Sequence, residues 1–225
     1  MHRRWTNTEI PRRVAVPMGN GALVLLSGGL DSAVSAYYAK GKYSTITCLT
    51  FNYYKRLERE KQACKKLVAR LGCELIEFPI EGIAEAEDSE LVSTSAPRSY
   101  IAARNIIFYG IAAHLAERRG IPIIIGGHVG SDAEKFGDAS RRFFKNLNSC
   151  LSLSLITRKV TVVTPFIQNS KTEVVALGIR LGVPFEFTWS CQTDSGRPCG
   201  HCYSCAERQK AFEENSMVDP LQLLT

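Results

Sequence analysis

Residues 23–32 read LVLLSGGLDS, and this stretch constrains the fold more than any other part of the chain. Four apolar residues are followed by Ser27 and two glycines, and a helix-compatible stretch follows over residues 33–40. A short apolar run bounded by glycine indicates a buried strand, and adjacent glycines indicate a turn. Backbone N–H groups at glycine approach a ligand closely, and a helix start adds free donors and a positive dipole end. The pattern predicts an anion-binding loop between a strand and a helix.

Polar side chains around the two glycines favour a loop with a ligand over an empty turn. Ser27 and Ser32 add hydroxyl donors, and Asp31 either caps the helix or helps to hold a metal ion. A glycine pair alone is common in turns that bind nothing. The sequence contains no GxxxxGK[ST], so this loop has no lysine that reaches a γ-phosphate.

The hexapeptide SGGLDS after a predicted strand resembles the signature of the PP-loop, or N-type ATP pyrophosphatase, superfamily. These enzymes hold the pyrophosphate end of ATP and split ATP between its α- and β-phosphates, which leaves an adenylated substrate. The resemblance implies an ATP-binding loop made of Ser27, Gly28, Gly29, Leu30, Asp31 and Ser32.

Length and composition are typical of one medium-sized globular domain with a small appendage: 225 residues, 45% hydrophobic and 22% charged. The net charge of +6 is compatible with an anionic substrate such as ATP, or with weak nucleic-acid contact. No apolar stretch is long enough to span a membrane, and the basic residues 1–20 lack the apolar core of a signal peptide. We therefore expect a cytoplasmic protein in which residues 1–20 form an N-terminal tail.

Strand-like and helix-like patterns alternate after the first loop. Strands are predicted over residues 44–53, 73–80, 121–126 and 160–166, and helices over 55–71, 100–119, after Asp138 and after Lys171. This alternation predicts an α/β fold with a doubly wound, mainly parallel sheet and helices on both faces. Ligands of such sheets bind at the carboxyl ends of the strands, where the first loop lies.

Several positions outside the loop have two interpretations each. Arg104 either faces the nucleotide phosphates or caps the helix over residues 100–119, which carries an apolar stripe from Ile106 to Leu115. Lys171 is a candidate phosphate contact opposite the loop, since a cation at a helix start otherwise opposes the dipole. His128 is expected to be a hydrogen-bonding neighbour rather than a catalyst. The acidic segment over residues 81–99 is either a binding loop or a solvated excursion.

Four cysteines near the C-terminus have the spacing C-x7-C-x2-C-x2-C, and they are Cys191, Cys199, Cys202 and Cys205. In a cytoplasmic chain this spacing favours one tetrahedral metal ion over disulfides. A closed set of four thiolates leaves no open position for water, which predicts a structural zinc ion. His201 lies inside the cluster, but four cysteines are sufficient. The other four cysteines, among them Cys150, are expected to be buried packing residues.

The C-terminal sequence narrows the resemblance to one family. Residues 183–205, VPFEFTWSCQTDSGRPCGHCYSC, followed by Arg208 and Phe212, resemble the C-terminal signature of 7-cyano-7-deazaguanine synthases. That family has TWSC, then CGxCxSC, then an arginine and a phenylalanine on a helix. The resemblance covers residues 21–213 and implies a nucleotide-binding domain over 21–187 and a zinc-binding segment with a helix over 188–225.

Two segments depart from the family pattern. Residues 52–57 read NYYKRL where the family usually has DYGQRH, and residues 137–143 read GDASRRF in place of PDCRPEF. Asp138 matches the aspartate of the second motif. It is therefore the expected substrate-binding residue.

The resemblance implies an ATP-dependent ligase. It converts 7-carboxy-7-deazaguanine and ammonia into the nitrile through adenylated intermediates, as a precursor of queuosine- and archaeosine-type tRNA bases. The implied catalytic residues are Ser27, Asp31 and Lys171, with Arg104 as a further ATP contact. Structural Zn²⁺ and Mg²⁺ bound with ATP are the implied cofactors. The implied partners are small molecules, without a membrane and without an obligatory nucleic acid. The implied oligomeric state is a homodimer.

Two alternatives remain open at the level of sequence. The first is a related PP-loop enzyme that thiolates or amidates tRNA, in which the cysteines hold an iron–sulfur cluster and Cys150 takes part in sulfur transfer. The second is a non-catalytic, zinc-containing nucleic-acid-binding module, which the basic charge fits but which leaves SGGLDS without a role.

Overall fold

The computed structural model describes residues 21–54, 56–81 and 101–222. The predicted N-terminal tail lies outside the described residues. So do residues 82–100, which contain most of the acidic segment and Tyr100, where the third helix was expected to begin.

The described residues form one five-stranded parallel sheet. Its strands are β1 (Gly21–Leu25), β2 (Thr45–Asn52), β3 (Glu74–Pro79), β4 (Ile123–Ile125) and β5 (Thr161–Val163). Their order across the sheet is β3-β2-β1-β4-β5, so the central strand β1 pairs with β2 on one side and with β4 on the other. The predicted parallel α/β fold is confirmed.

Seven α-helices connect and follow the strands within the described residues. They are α1 (Leu30–Lys40), α2 (Glu58–Leu71), α3 (Arg104–Arg119), α4 (Gly130–Lys135), α5 (Arg141–Ser154), α6 (Lys171–Arg180) and α7 (Tyr203–Glu213). Two short 3₁₀ turns span Gly137–Ala139 and Phe185–Phe187. None of these helices has the length and apolar character needed to cross a membrane.

Helices cover both faces of the sheet, which makes the fold doubly wound. One core contains side chains of α1, α2, α6 and α7, for example Val34, Leu67 and Phe212. The opposite core contains side chains of α3 and α5, for example Tyr109 and Phe144. Because β1 and β4 are buried from both sides, their residues are apolar without alternation, as in other parallel sheets.

Three details differ from the sequence predictions. The face of α3 that packs on the sheet contains Tyr109 and three alanines, whereas Ile106 of the predicted stripe is 54% exposed. The small alanine side chains let the helix approach the strands closely. The prediction from large apolar residues such as isoleucine therefore chose the wrong face of the helix. Helix α4 was not predicted because its sequence, GSDAEK, has no apolar period. Cys150 is exposed, so the expectation that it is a buried packing residue is wrong.

The strand order places the glycine loop at the point where the chain direction across the sheet reverses. β1 leads into the loop, and the neighbouring β4 leads into Gly127 and His128 at the same edge. Crevices at this position are where open α/β sheets bind ligands. The fold therefore supplies a site between the carboxyl ends of β1 and β4.

Candidate active site

A cavity of about 650 Å³ opens at the carboxyl edge of the sheet, beside the glycine loop. This volume lies in the range of small-molecule sites. Eight of the sequence-predicted site residues line it: Ser27, Gly29, Leu30, Asp31, Ser32, Arg104, Asp138 and Lys171. The four clustered cysteines do not line it. The structure thus brings together residues that are up to 144 positions apart, since Ser27 and Lys171 share one cavity.

The hydroxyls of the loop hold its shape from inside. Ser32 Oγ donates to Gly29 O at 2.9 Å and accepts from Ser27 N at 3.2 Å. Ser27 Oγ accepts from Gly29 N at 3.2 Å and lies 3.0 Å from Ser32 Oγ. Helix α1 starts at Leu30 with Gly29 as its N-cap, so Asp31 lies in the first turn and does not cap the helix. The loop is therefore organised before any ligand binds.

Gly28 makes the loop possible and does not itself line the cavity. Its φ is +90°, and a Cβ at this position would lie 2.4 Å from Glu60 O. Both the backbone conformation and the close approach exclude a side chain. The Gly28 carbonyl accepts a hydrogen bond from Trp189 N at 2.9 Å, which ties the loop to the segment that leads into the cysteines.

Lys171 forms an ion pair with Asp31 across the cavity. A capping box fixes the start of α6, because Ser170 Oγ accepts from Glu173 N and Glu173 Oε2 accepts from Ser170 N. Burial raises the pKa of Asp31 although the Lys171 charge acts in the opposite direction. Burial acts against the charged form of Lys171, but Asp31 overrides it and raises the pKa of the lysine. Lys171 thus stays cationic beside the loop.

Arg56 is a structural residue of the site that the sequence analysis did not single out. Its guanidinium donates to Ser27 O at 2.6 Å, to Phe51 O at 2.8 Å and to Cys64 Sγ at 3.1 Å. Its Nε lies 3.2 Å from a carboxylate oxygen of Glu60. One buried side chain therefore joins the loop, the end of β2 and helix α2. The sequence predicted Arg56 to lie in the first turn of the helix over residues 55–71, and nothing in that pattern indicated its contacts with the loop.

Arg104 and Asp138 also line the cavity. Asp138 Oδ2 accepts from Asn105 N at 3.3 Å, and Asp138 O accepts from the Asn105 side chain at 2.9 Å. These two bonds fix the 3₁₀ turn that carries Asp138 against the start of α3. His128 lies nearby and bonds Tyr109 through its Nε2, so the expected role as a hydrogen-bonding neighbour is confirmed.

The four cysteine sulfurs lie within 4.8 Å of one another, which is close enough for all four to bind one ion. Cys199 N donates to Cys191 Sγ and Cys202 N donates to Cys199 Sγ, each at 3.3 Å. His201 instead contacts Cys199 O through its Nδ1 and is exposed. The cluster can therefore hold a metal ion with four sulfur ligands and without His201.

The cysteine segment docks on the start of helix α2 through Asp194. Its two carboxylate oxygens accept from Glu58 N at 3.1 Å and from Arg59 N at 2.9 Å. These amides belong to the first turn of α2, where helix N–H groups lack partners within the helix. Asp194 therefore caps a helix that begins 136 positions earlier in the chain.

Asp194→Ala is expected to lower the free energy of unfolding by about 1 kcal/mol, because both amides lose their acceptor. Chemical denaturation measures this difference. The control is Glu134→Ala, which removes an exposed helix carboxylate outside this contact and should change the free energy of unfolding little. Equal effects of the two substitutions would contradict the capping role.

Arg208 fixes the last helix by a buried ion pair with Asp219, which holds the guanidinium at 2.6 and 2.8 Å. The same guanidinium donates to Thr188 Oγ1 at 2.6 Å and to Phe185 O at 3.0 Å. Arg208 also lines the cavity. The chain after the cysteines is thereby held against the residues before them.

Known proteins resemble this chain in sequence, and others resemble it in fold. The sequence model of the family described as "Queuosine biosynthesis protein QueC" matches residues 21–216. The chain belongs to this family. A curated relative, the 7-cyano-7-deazaguanine synthase of Methanoculleus marisnigri, is 34% identical over 217 residues, and the match covers 89% of this chain and 97% of the relative. This member of the QueC family is therefore an enzyme of the 7-cyano-7-deazaguanine synthase type.

Solved structures share the fold of this QueC family member at lower sequence identity. The NMN synthetase of Francisella tularensis has a TM-score of 0.55 at 18% identity, covering 92% of this chain and 82% of its own. The U34-tRNA thiolase NcsA of Methanococcus maripaludis, solved with its [4Fe-4S] cluster, has a TM-score of 0.50 at 15% identity, covering 88% and 67%. These likenesses support the PP-loop fold alone. The family match excludes a non-catalytic module and favours the synthase over a thiolating enzyme.

Proposed function

We propose that this enzyme converts 7-carboxy-7-deazaguanine, ATP and ammonia into 7-cyano-7-deazaguanine through adenylated intermediates. The observation that carries the proposal is the anion-binding loop at the end of β1 with Lys171 opposite it, in a family whose curated members are named as this synthase. The loop offers backbone donors and one facing cation, which suits a departing pyrophosphate. We also propose that the product feeds tRNA modification of the queuosine or archaeosine type.

The proposed reaction has two activations. A carboxylate oxygen of the acid attacks the α-phosphorus of ATP, and the bond to pyrophosphate breaks. Ammonia then attacks the acyl carbon and AMP leaves, which gives the amide. The amide oxygen attacks the α-phosphorus of a second ATP, and the bond to pyrophosphate breaks again. The adenylated amide then loses AMP and two protons, which yields the nitrile.

The protein contributes positioning and charge stabilisation in this scheme. The N–H groups at the start of α1, together with Lys171, stabilise the negative charge that develops on pyrophosphate. Arg104, which also lines the cavity, supplies a second cation for the phosphates. None of these groups needs to form a covalent bond to the substrate. Holding the two reactants together accounts for much of the expected rate enhancement.

Asp31 fits a role as a ligand of Mg²⁺ that accompanies ATP. Its Oδ2 contacts Lys171, whereas its buried Oδ1 has no hydrogen-bond partner among the described residues. A carboxylate oxygen is a ligand type that Mg²⁺ prefers in nucleotide sites. When bound, the ion would neutralise charge on the pyrophosphate.

The cysteine cluster fits one structural Zn²⁺. Sulfur atoms bound to one tetrahedral zinc at about 2.3 Å lie roughly 4 Å apart, and all four are already within 4.8 Å of one another. The apolar cluster beside them is small and contains Ala63, Trp189 and Leu221. An ion here would contribute directly to folding.

Residues 21–187 and 188–225 remain the proposed division into a nucleotide-binding domain and a metal-binding segment. A homodimer, a cytoplasmic location and independence from nucleic acid remain predictions from the family resemblance.

The proposed cleavage predicts AMP and pyrophosphate as the nucleotide products. Both should accumulate only when the deazaguanine acid and ammonium are present together with ATP. The measurement is mass spectrometry of the base products combined with chromatography of the nucleotides, with reactions lacking acid or ammonium as controls. ADP and phosphate as the main products would contradict the proposal, because they report attack at the γ-phosphate.

A further inference from the structure

The ring of His128 and the phenol of Tyr109 share a single hydrogen bond, 2.9 Å from Nε2 to Oη. Tyr109 is 1% exposed and lies against the ring of Phe144 with centroids 5.2 Å apart. On the other side its Oη approaches Gly126 so closely that a Cβ there would be 1.8 Å away. The described residues give this phenol no other hydrogen-bond partner.

This geometry decides which atom donates. If Nε2 of His128 carried the hydrogen, the phenol O–H of Tyr109 would be left without an acceptor among the described residues, which costs free energy in a buried place. If the phenol donates to Nε2, both atoms that form this hydrogen bond are satisfied. The hydrogen of the neutral ring is then on Nδ1, since the bond made by one ring nitrogen sets the state of the other.

The ring of His128 is neutral in this arrangement. Burial lowers the pKa of His128 to about 4, and the charge of Arg104 acts in the same direction, against Asp138 and Asp31. Burial also raises the pKa of Tyr109, which keeps the phenol protonated. His128 lines the cavity, and its Nδ1 has no partner among the described residues.

We infer that Tyr109 fixes His128 as a neutral Nδ1–H donor, and that this donor recognises the lactam oxygen of the deazaguanine acid. The identity of the acceptor rests on the proposed function. A neutral donor suits a neutral carbonyl, whereas the substrate carboxylate suits the cations Arg104 and Lys171.

Asp138 supports the choice of the lactam edge. Its Oδ2 is used by Asn105, and the carboxylate lines the same cavity as His128. A lactam edge of the guanine type presents a carbonyl oxygen beside N–H donors. A donor from His128 next to an acceptor from Asp138 matches that order, while a substrate carboxylate in this place would be repelled by Asp138. The adenine edge also pairs an acceptor with a donor, so the test must separate the two bases.

The tautomer is tested on the protein without substrate. Long-range ¹H–¹⁵N spectra of histidine-labelled protein distinguish the two neutral tautomers, and His128→Asn assigns the signal among the four histidines of the chain. We expect Nδ1–H for His128, and a shift toward Nε2–H in Tyr109→Phe, while the signal of exposed His114 stays unchanged. An Nε2–H form in the unsubstituted protein, or no change in Tyr109→Phe, would overturn the inference even if the enzyme were fully active.

The acceptor is tested with 7-carboxy-7-deazaguanine and the same acid lacking the 6-oxo group. The unsubstituted enzyme should prefer the oxo acid at least about tenfold in kcat/KM, and His128→Leu should lose this preference. His128→Asn, whose amide N–H replaces the Nδ1–H donor, should retain most of it. A higher KM for ATP in His128→Leu with an unchanged preference between the acids would assign the donor to adenine and overturn the inference. Absence of turnover in the unsubstituted enzyme would contradict the proposed function and leave the tautomer result standing.

Discussion

Replacing Asp31 by alanine should lower turnover about 100-fold while the protein remains folded. A preorganised polar group at the reacting phosphates contributes on the order of 3 kcal/mol to the barrier. One carboxylate oxygen of Asp31 contacts Lys171, and the other has no hydrogen-bond partner among the described residues. Release of AMP and pyrophosphate under saturating ATP measures the loss. Ser27→Ala should act in the same direction, because its hydroxyl bonds both Gly29 N and Ser32 Oγ.

Two further variants separate catalysis from stability at this position. Asp31→Ala leaves the partly buried Lys171 without its partner, whereas Asp31→Ala combined with Lys171→Met removes both charges. If loss of folding is the cause, Asp31→Ala should have a lowered Tm that the double variant restores. If loss of the phosphate contacts is the cause, both variants should stay folded and inactive. Glu77→Ala removes an exposed carboxylate paired with Lys65 and serves as the control. Near-normal turnover in both Asp31→Ala and Ser27→Ala would refute the assignment of the loop.

Replacing any one of the four clustered cysteines by serine should lower metal content and thermal stability together. One zinc per chain is expected in the unsubstituted protein, with no visible absorbance even after purification without oxygen. Metal binding in such a segment is folding free energy, and each kcal/mol lost shifts Tm by about 2–4 °C in a chain of this size. We therefore expect Cys199→Ser to lower Tm by roughly 10 °C. Elemental analysis and calorimetry on the same samples provide both numbers.

Cys150→Ser is the matched control, because Cys150 is exposed and lies outside the cluster. It should change neither metal content nor Tm. A cluster variant that lost zinc yet kept full stability and activity would contradict the structural role. A brown anaerobic preparation with iron in place of zinc would instead assign an iron–sulfur cluster to the four cysteines.

The parts of the site that are local in sequence were predictable. The loop over residues 27–32 and the four cysteines each lie within a short stretch, so the sequence alone predicts that the members of each set lie close together. The helix predicted after the strand over residues 160–166 is α6, and the structure shows that a capping box of Ser170 and Glu173 fixes its start. The alternation of strands and helices predicted the parallel sheet, and with it the edge at which the loop lies.

The parts that depend on tertiary structure were not predictable from pattern. Arg56 bonds three carbonyl or sulfur acceptors that are adjacent only in the fold, and Asp194 caps a helix far away in the chain. Tyr109 lies in a helix whose buried face is otherwise small residues, so its contact with His128 has no sequence signature. Charged and aromatic side chains with several non-local partners are the class that sequence periodicity misses.

The hydrogen bond from Trp189 to Gly28 and the ion pair of Lys171 with Asp31 also determine when the site is completed during synthesis. The loop emerges from the ribosome before these partners, because β4, which pairs with its strand, the counter-charge at residue 171 and the backbone partner at residue 189 all follow it in the chain. Such long sequence separations delay the formation of native contacts. The nascent chain therefore carries the glycine loop long before the residues that complete the cavity beside it have been made.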